Sequence, residues 1–178
     1  MGDNTIQILA VIEDVKREIW EGDLIILRNK KGIAFRALKV CRWDDAVFGV
    51  DVLKYRGVTA VSLEQLICRH PGNIDVYEVN PQDRWPNYDR QRATRFLKSI
   101  VFSEEDCRVM FLKMLRNLFL KLFYPAIAKH DSVPCGAEAI RLADRHGGVE
   151  PVPDRANERI SVSDLERSPF YRYRFTLK

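Results

Sequence analysis

At 178 residues, with 46% hydrophobic and 10% aromatic side chains, the chain is long enough to bury a core and short enough to read as one domain. Its 29 Lys and Arg against 25 Asp and Glu leave a formal charge of +4, and the signs are interspersed, so the balance selects no class of partner. No run approaches the ~18 apolar residues of a membrane span, and Cys41, Cys68, Cys107 and Cys135 are too scattered for a zinc cluster or a disulfide framework.

The N-terminus is interrupted by Glu13, Asp14 and Lys16, unlike a secretory signal, so the expected location is cytoplasmic, with free thiols in a reducing compartment. Apolar Ile6, Leu9, Ala10, Ile12 and Val15 predict an opening helix over 5–18, an N-terminal extension ending near residue 20. Leu24 to Leu27 reads as a buried strand, and Ile33 to Trp43 is expected to be a helix. Val47 to Leu53 and Val58 to Val61 read as strands around a Lys54-Tyr55-Arg56-Gly57 turn.

Ser62 is placed to cap a short helix that carries Leu63, Leu66 and Ile67 inward, and Pro71-Gly72-Asn73 ends it. The alternation in Ile74 to Val79 predicts a half-exposed strand before a polar loop over 80–87. Asp89 to Val101 reads as a helix, and Ser103-Glu104-Glu105-Asp106 as the start of another that runs to Tyr124. That second helix is apolar over most of its circumference and must be largely covered, by the core, by a protein partner or by a membrane surface. Pro134 then opens a helix from Cys135 to His146, stopped by Gly147-Gly148, followed by a helical turn over Ser161–Glu166 and a last strand from Phe170 to Leu177.

A thiol reacts as thiolate, and a helix N-terminus lowers thiol pKa through its free N–H groups and dipole. Cys135 has that placement. It is equally the placement of a small buried hydrophobe, so position alone does not make it reactive.

Five segments occur in a telling order: Gly22-Asp23-Leu24-Ile25; Arg56-Gly57-Val58-Thr59-Ala60-Val61-Ser62-Leu63-Glu64-Gln65-Leu66; Asp75-Val76-Tyr77-Glu78-Val79; Pro134-Cys135-Gly136-Ala137-Glu138-Ala139 through Gly147-Gly148-Val149; and Ser161 to Pro169. In that order they resemble the circularly permuted papain-like cysteine peptidases and amidases, the permuted NlpC-type branch related to lecithin retinol acyltransferase. The resemblance covers most of residues 20–178, with 103–130 standing out as a helical insertion. It implies an α+β fold, a small and mainly antiparallel sheet of about five strands packed against the Cys135 helix, with extra helices. It also implies that Cys135 occupies the nucleophile position.

The departures bear on activity. The family's histidine is expected on the strand after the GDLI segment, and that position falls on Val47 or a near neighbour. Lys54 and Arg56 stand where an acid is usual, and Gly136 where the family has serine. His146 lies eleven residues along the same helix, ~16 Å away at ~1.5 Å per residue. His130 is the nearest substitute base and His70 a more distant one, while Asp44 and Asp45 are poor partners for a thiol.

Tyr171-Arg172-Tyr173-Arg174-Phe175 superficially suits nucleic acid, but strand alternation predicts the aromatics on one core-facing side and the arginines in water. No Gly-rich phosphate loop, HExxH or GxSxG is present. The expectation is therefore a degenerate binding, structural or assembly module, in a cell or a virus particle, with no cofactor, metal or nucleic acid. Its partner would be a protein held by the 103–124 helix. The alternative is a working thiol hydrolase of amide or ester bonds, such as peptide or cell-wall crosslinks, using Cys135 with His130 or His70.

Overall fold

The computed structural model describes residues 12–53, 57–101, 136–155 and 159–177. The 103–124 helix, the 54–56 turn, His130, Pro134 and Cys135 lie outside these residues, as does the start of the opening helix. Among the described residues the fold is a six-stranded antiparallel sheet, order β4-β3-β2-β1-β5-β6, with helices on both faces. The strands are β1 Leu24–Arg28, β2 Ala34–Trp43, β3 Ala46–Leu53, β4 Gly57–Ser62, β5 Ile74–Val79 and β6 Tyr171–Leu177. The helices are α1 (residues 12–18), α2 Leu63–Arg69, α3 Arg90–Val101, α4 Ala137–His146 and α5 Val162–Arg167.

Strand alternation sorts the core into two layers. On one face Leu38, Val40, Val47 and Val76 pack with Val15 at α1, Ile19 just beyond it, and Leu63 and Leu66 of α2. On the other, Leu24, Ile26, Ala37 and Val79 meet Ala137 and Ile140 of α4 and Leu165 of α5. Cys41 and Val50 extend this second layer to Leu97 of α3 and Ala143 of α4.

The helix expected over Ile33–Trp43 is strand β2. Ala37 to Cys41 are all buried, because β2 lies between β1 and β3 with helices covering both its faces. Such a strand shows no polar-apolar alternation, and its apolar run mimics a helix segment. The same central position buries β5, expected to be half-exposed: Ile74, Val76 and Val79 are buried, and Asp75 is satisfied by Arg28 and Thr176.

β6 departs from strict alternation. Its register runs Val76↔Phe175 and then Tyr77↔Tyr173, leaving Arg174 as a bulge. One extra residue reverses the side-chain sense. Tyr171 therefore packs in the α4 layer while Phe175 joins the α1/α2 layer, and Tyr173 is exposed. Arg172 is held by Glu78 at 2.5 Å and Arg174 by Glu18 at 3.0 Å.

Local end signals act as the residue types dictate. Ser62 Oγ accepts from Gln65 N–H at the start of α2. At α5, Ser161 and Asp164 form a reciprocal capping box. Asp164 is held below its ordinary carboxylate value, first by the Ser161 hydroxyl and then by the Ser161 N–H. The carboxylate half of the box thus contributes at neutral pH and is lost as pH falls through that depressed value. Ser161→Ala is expected to cost about 1 kcal/mol in urea unfolding at neutral pH.

Candidate functional site

α4 is carried on the sheet by its apolar stripe, Ala137, Ile140 and Ala143, each buried. Its start is tied to the end of β3, where Gly136 N–H donates to the Val52 carbonyl at 2.7 Å. Gly136 itself has φ 56° and ψ −124°, a conformation that side chains with a Cβ rarely adopt. The family's serine would be strained on this backbone, so glycine here answers a turn geometry as well as removing a hydroxyl. Cys135, the next residue toward the N-terminus, and His130 are outside the described residues.

The position that the resemblance assigns to a histidine is informative. Val47 is fully buried in the α1/α2 layer against Leu38, Leu63 and Leu66, and so faces away from α4 across the sheet. Its neighbour Phe48 points to the α4 side, where its ring meets Trp43 edge-on at 5.0 Å. Neither side chain can exchange a proton. Asp44 and Asp45 are exposed in the tight β2–β3 turn, Asp44 with φ 51°.

The histidines within the described residues are engaged elsewhere. His70 caps the end of α2, with Nε2 2.8 Å from the Arg28 carbonyl and its ring 6.0 Å from Phe35; α2 and α4 lie on opposite faces of the sheet. His146 ends α4 and stacks on Phe96 at 4.0 Å, about 13 Å along the helix from Ala137 at ~1.5 Å per residue.

The strongest polar constellation beneath α4 is one the residue patterns did not announce. Lys39 Nζ lies 2.5 Å from Asp144 Oδ1, and both side chains are wholly buried. Tyr88 donates to the same oxygen at 2.7 Å, and Tyr171 donates to Oδ2. The Lys39 ammonium also sits 5.4 Å from the Tyr171 ring centroid. Burial, followed by the Asp144 charge, drives both tyrosine hydroxyls well above their ordinary range, so both remain donors. Lys39, Asp144 and Tyr171 are buried and Tyr88 is half-buried. The cluster joins β2, α4, the loop before α3 and β6. A lysine in the middle of Ala37-Leu38-Lys39-Val40-Cys41 was the available signal, and reading that run as a helix concealed it.

Gly22-Asp23 also has a structural reason. Asp23 is fully buried and accepts from Trp20 N–H at 2.9 Å and, at 3.4 Å each, from Val79 N–H and Arg90. Burial is the largest influence on its carboxyl and raises the pKa, although these donors oppose it. Gly22, at φ 86°, lets the Arg90 side chain approach to where a Cβ would lie 2.7 Å from Cγ.

Two shallow clefts of about 390 and 350 Å³ lie elsewhere, the first along Trp20, Glu21 and Arg90 and the second along Trp85, Pro86 and Gly148. Among the described residues no group of His, Cys, Asp and Glu is arranged to hold a metal ion, and no helix is long and apolar enough to cross a membrane. No protein-family model matches the chain, and no curated protein matches it in sequence.

Proposed function

We propose that this protein is a non-catalytic, permuted papain-like module, a binding or assembly domain on the frame of a former thiol hydrolase. The observation supporting this reading is the apolar setting of the start of α4. Ala137 and Ile140 pack against Leu24, Ile26 and Ala37, and neither described histidine is near that end of the helix. A thiol nucleophile needs a base within hydrogen-bonding reach or an electropositive setting that favours thiolate. Arg141 and Glu138, the nearby charged pair at 3.6 Å, are engaged with each other and with Glu150 and the Ile160 N–H.

Competitive iodoacetamide labelling of the native protein at neutral pH, read residue by residue by mass spectrometry, tests the reading. Cys68 is exposed and provides the internal reference. Cys41 is buried and its thiol is pushed up to about 12, chiefly by burial, so it is expected to label only after unfolding. Cys135 is expected to label no faster than Cys68. Fast, selective labelling of Cys135, abolished by His130→Ala, would overturn the proposal in favour of an active thiol hydrolase.

A further inference from the structure

We propose that the β1–β2 hairpin tip, Asn29–Phe35, docks on an anionic lipid surface. The tip presents two of the large exposed hydrophobic side chains, Ile33 at 58% and Phe35 at 54% exposure, beside exposed Lys30 and Lys31. Phe35 is turned outward by a bulge: Leu27 pairs with Arg36 and Arg28 with Ala34, so Phe35 has no residue across from it. An aromatic ring left more than half in solvent at a bulge, while its other side stacks on His70, presents apolar area to a docking surface.

The tip is held stiffly in that form. Asn29 Oδ1 accepts from the N–H groups of Lys31 at 2.9 Å and Ile33 at 3.0 Å. Gly32 at φ 77° donates to the Asn29 carbonyl, and Arg28 donates to the Gly32 carbonyl at 3.1 Å. Little ordering entropy remains to be lost on docking.

Charge and shape select the occupant. Arg28, at the root of the hairpin, is neutralised by Asp75 and Glu166, whereas Lys30 and Lys31 have no acidic partner among the described residues. The tip is therefore cationic as well as apolar. A seven-residue turn offers much less than the ~800 Å² per partner of a standard protein interface. A bilayer is deformable: it admits apolar tips below the headgroups while lysines remain at the phosphates.

The test is co-sedimentation of the full chain with vesicles of phosphatidylcholine alone or with roughly a third phosphatidylserine. Binding is expected only to the anionic vesicles and to weaken with added salt. Lys30→Gln/Lys31→Gln is expected to weaken it about thirtyfold, and Ile33→Ser/Phe35→Ser at least about tenfold. Lys30 and Lys31 are exposed, so the urea midpoint of the lysine pair is expected to match the parent; Phe35 stacks on His70, so the apolar pair is expected to lower the midpoint slightly, and the lysine pair, which leaves all apolar packing intact, decides. No binding to anionic vesicles, or binding that the lysine pair leaves unchanged, overturns the proposal. So does retention on soluble polyglutamate without vesicle binding, which would assign the tip to an acidic protein.

Discussion

Lys39→Met is expected to destabilise the protein by about 3–5 kcal/mol, because it strands the Asp144 carboxylate in a fully buried site. The two tyrosine hydroxyls that donate to Asp144 cannot replace a full positive charge. If the loss came only from the trimmed side chain, pairing Lys39→Met with Asp144→Asn would not restore it. The charge argument predicts the opposite. In the amide, Oδ1 accepts from one tyrosine while Nδ2 donates to the hydroxyl oxygen of the other, no unpaired charge remains, and the double variant is expected to recover a large part of the loss. Urea unfolding reads this as a shift in midpoint at constant slope. Equal midpoints for the single and double variants would refute it.

Gly72→Ala is expected to cost about 3 kcal/mol, for a reason that concerns backbone alone. A Cβ at this position would lie 1.9 Å from the Arg28 carbonyl oxygen and 2.9 Å from the carbonyl carbons of Arg28 and Asn29. No rotamer can relieve that overlap. The chain leaving α2 would have to retreat from the end of β1, where Arg28 N–H donates to the Asn73 carbonyl at 2.9 Å and His70 meets the Arg28 carbonyl. Gly32→Ala is the control. It has nothing within 4 Å of the added carbon but a φ of 77°, so its cost is the conformational one of about 1–2 kcal/mol. Thermal or urea unfolding of the two variants should therefore separate steric from torsional cost, with Gly72→Ala the worse. The reverse order would sink the argument.

These two sites show different degrees of legibility. Pro71-Gly72-Asn73 reads directly as a stop after α2, since turn residues act over a few positions. That Gly72 also admits the Arg28 carbonyl depends on the pairing of β1 with β5, which no local pattern contains. Lys39 was visible as a charge within an apolar run, but its partner is 105 residues away, and no local pattern connects them.

The candidate site divides in the same manner. The stop at Gly147 was legible, whereas the helix expected from Cys135 begins at Ala137, because Gly136 at φ 56° and ψ −124° is not helical. The side of the sheet faced by Val47 was not legible, because one residue of register reverses a strand's side chains. The resemblance to permuted papain-like enzymes rested on the order of segments, and some of those segments have structural reasons of their own. Asp23 binds backbone N–H groups and Arg90, and Ser161 with Asp164 caps a helix.

Where the determining interaction spans one turn or one cap, the amino-acid sequence was sufficient: Ser62 and Ser161 start helices, and Gly147-Gly148 ends one. Strand β1, the β3–β4 pair and α3 followed from apolar patterning and turn residues. Only tertiary structure made residues 34–43 a central strand and placed bulges at Phe35 and Arg174. It alone enclosed Lys39 with Asp144, and left Ile33 and Phe35 in solvent. The physical reason is that strand pairing and burial on both faces are properties of neighbours distant in the chain, whose free energies outweigh local propensity.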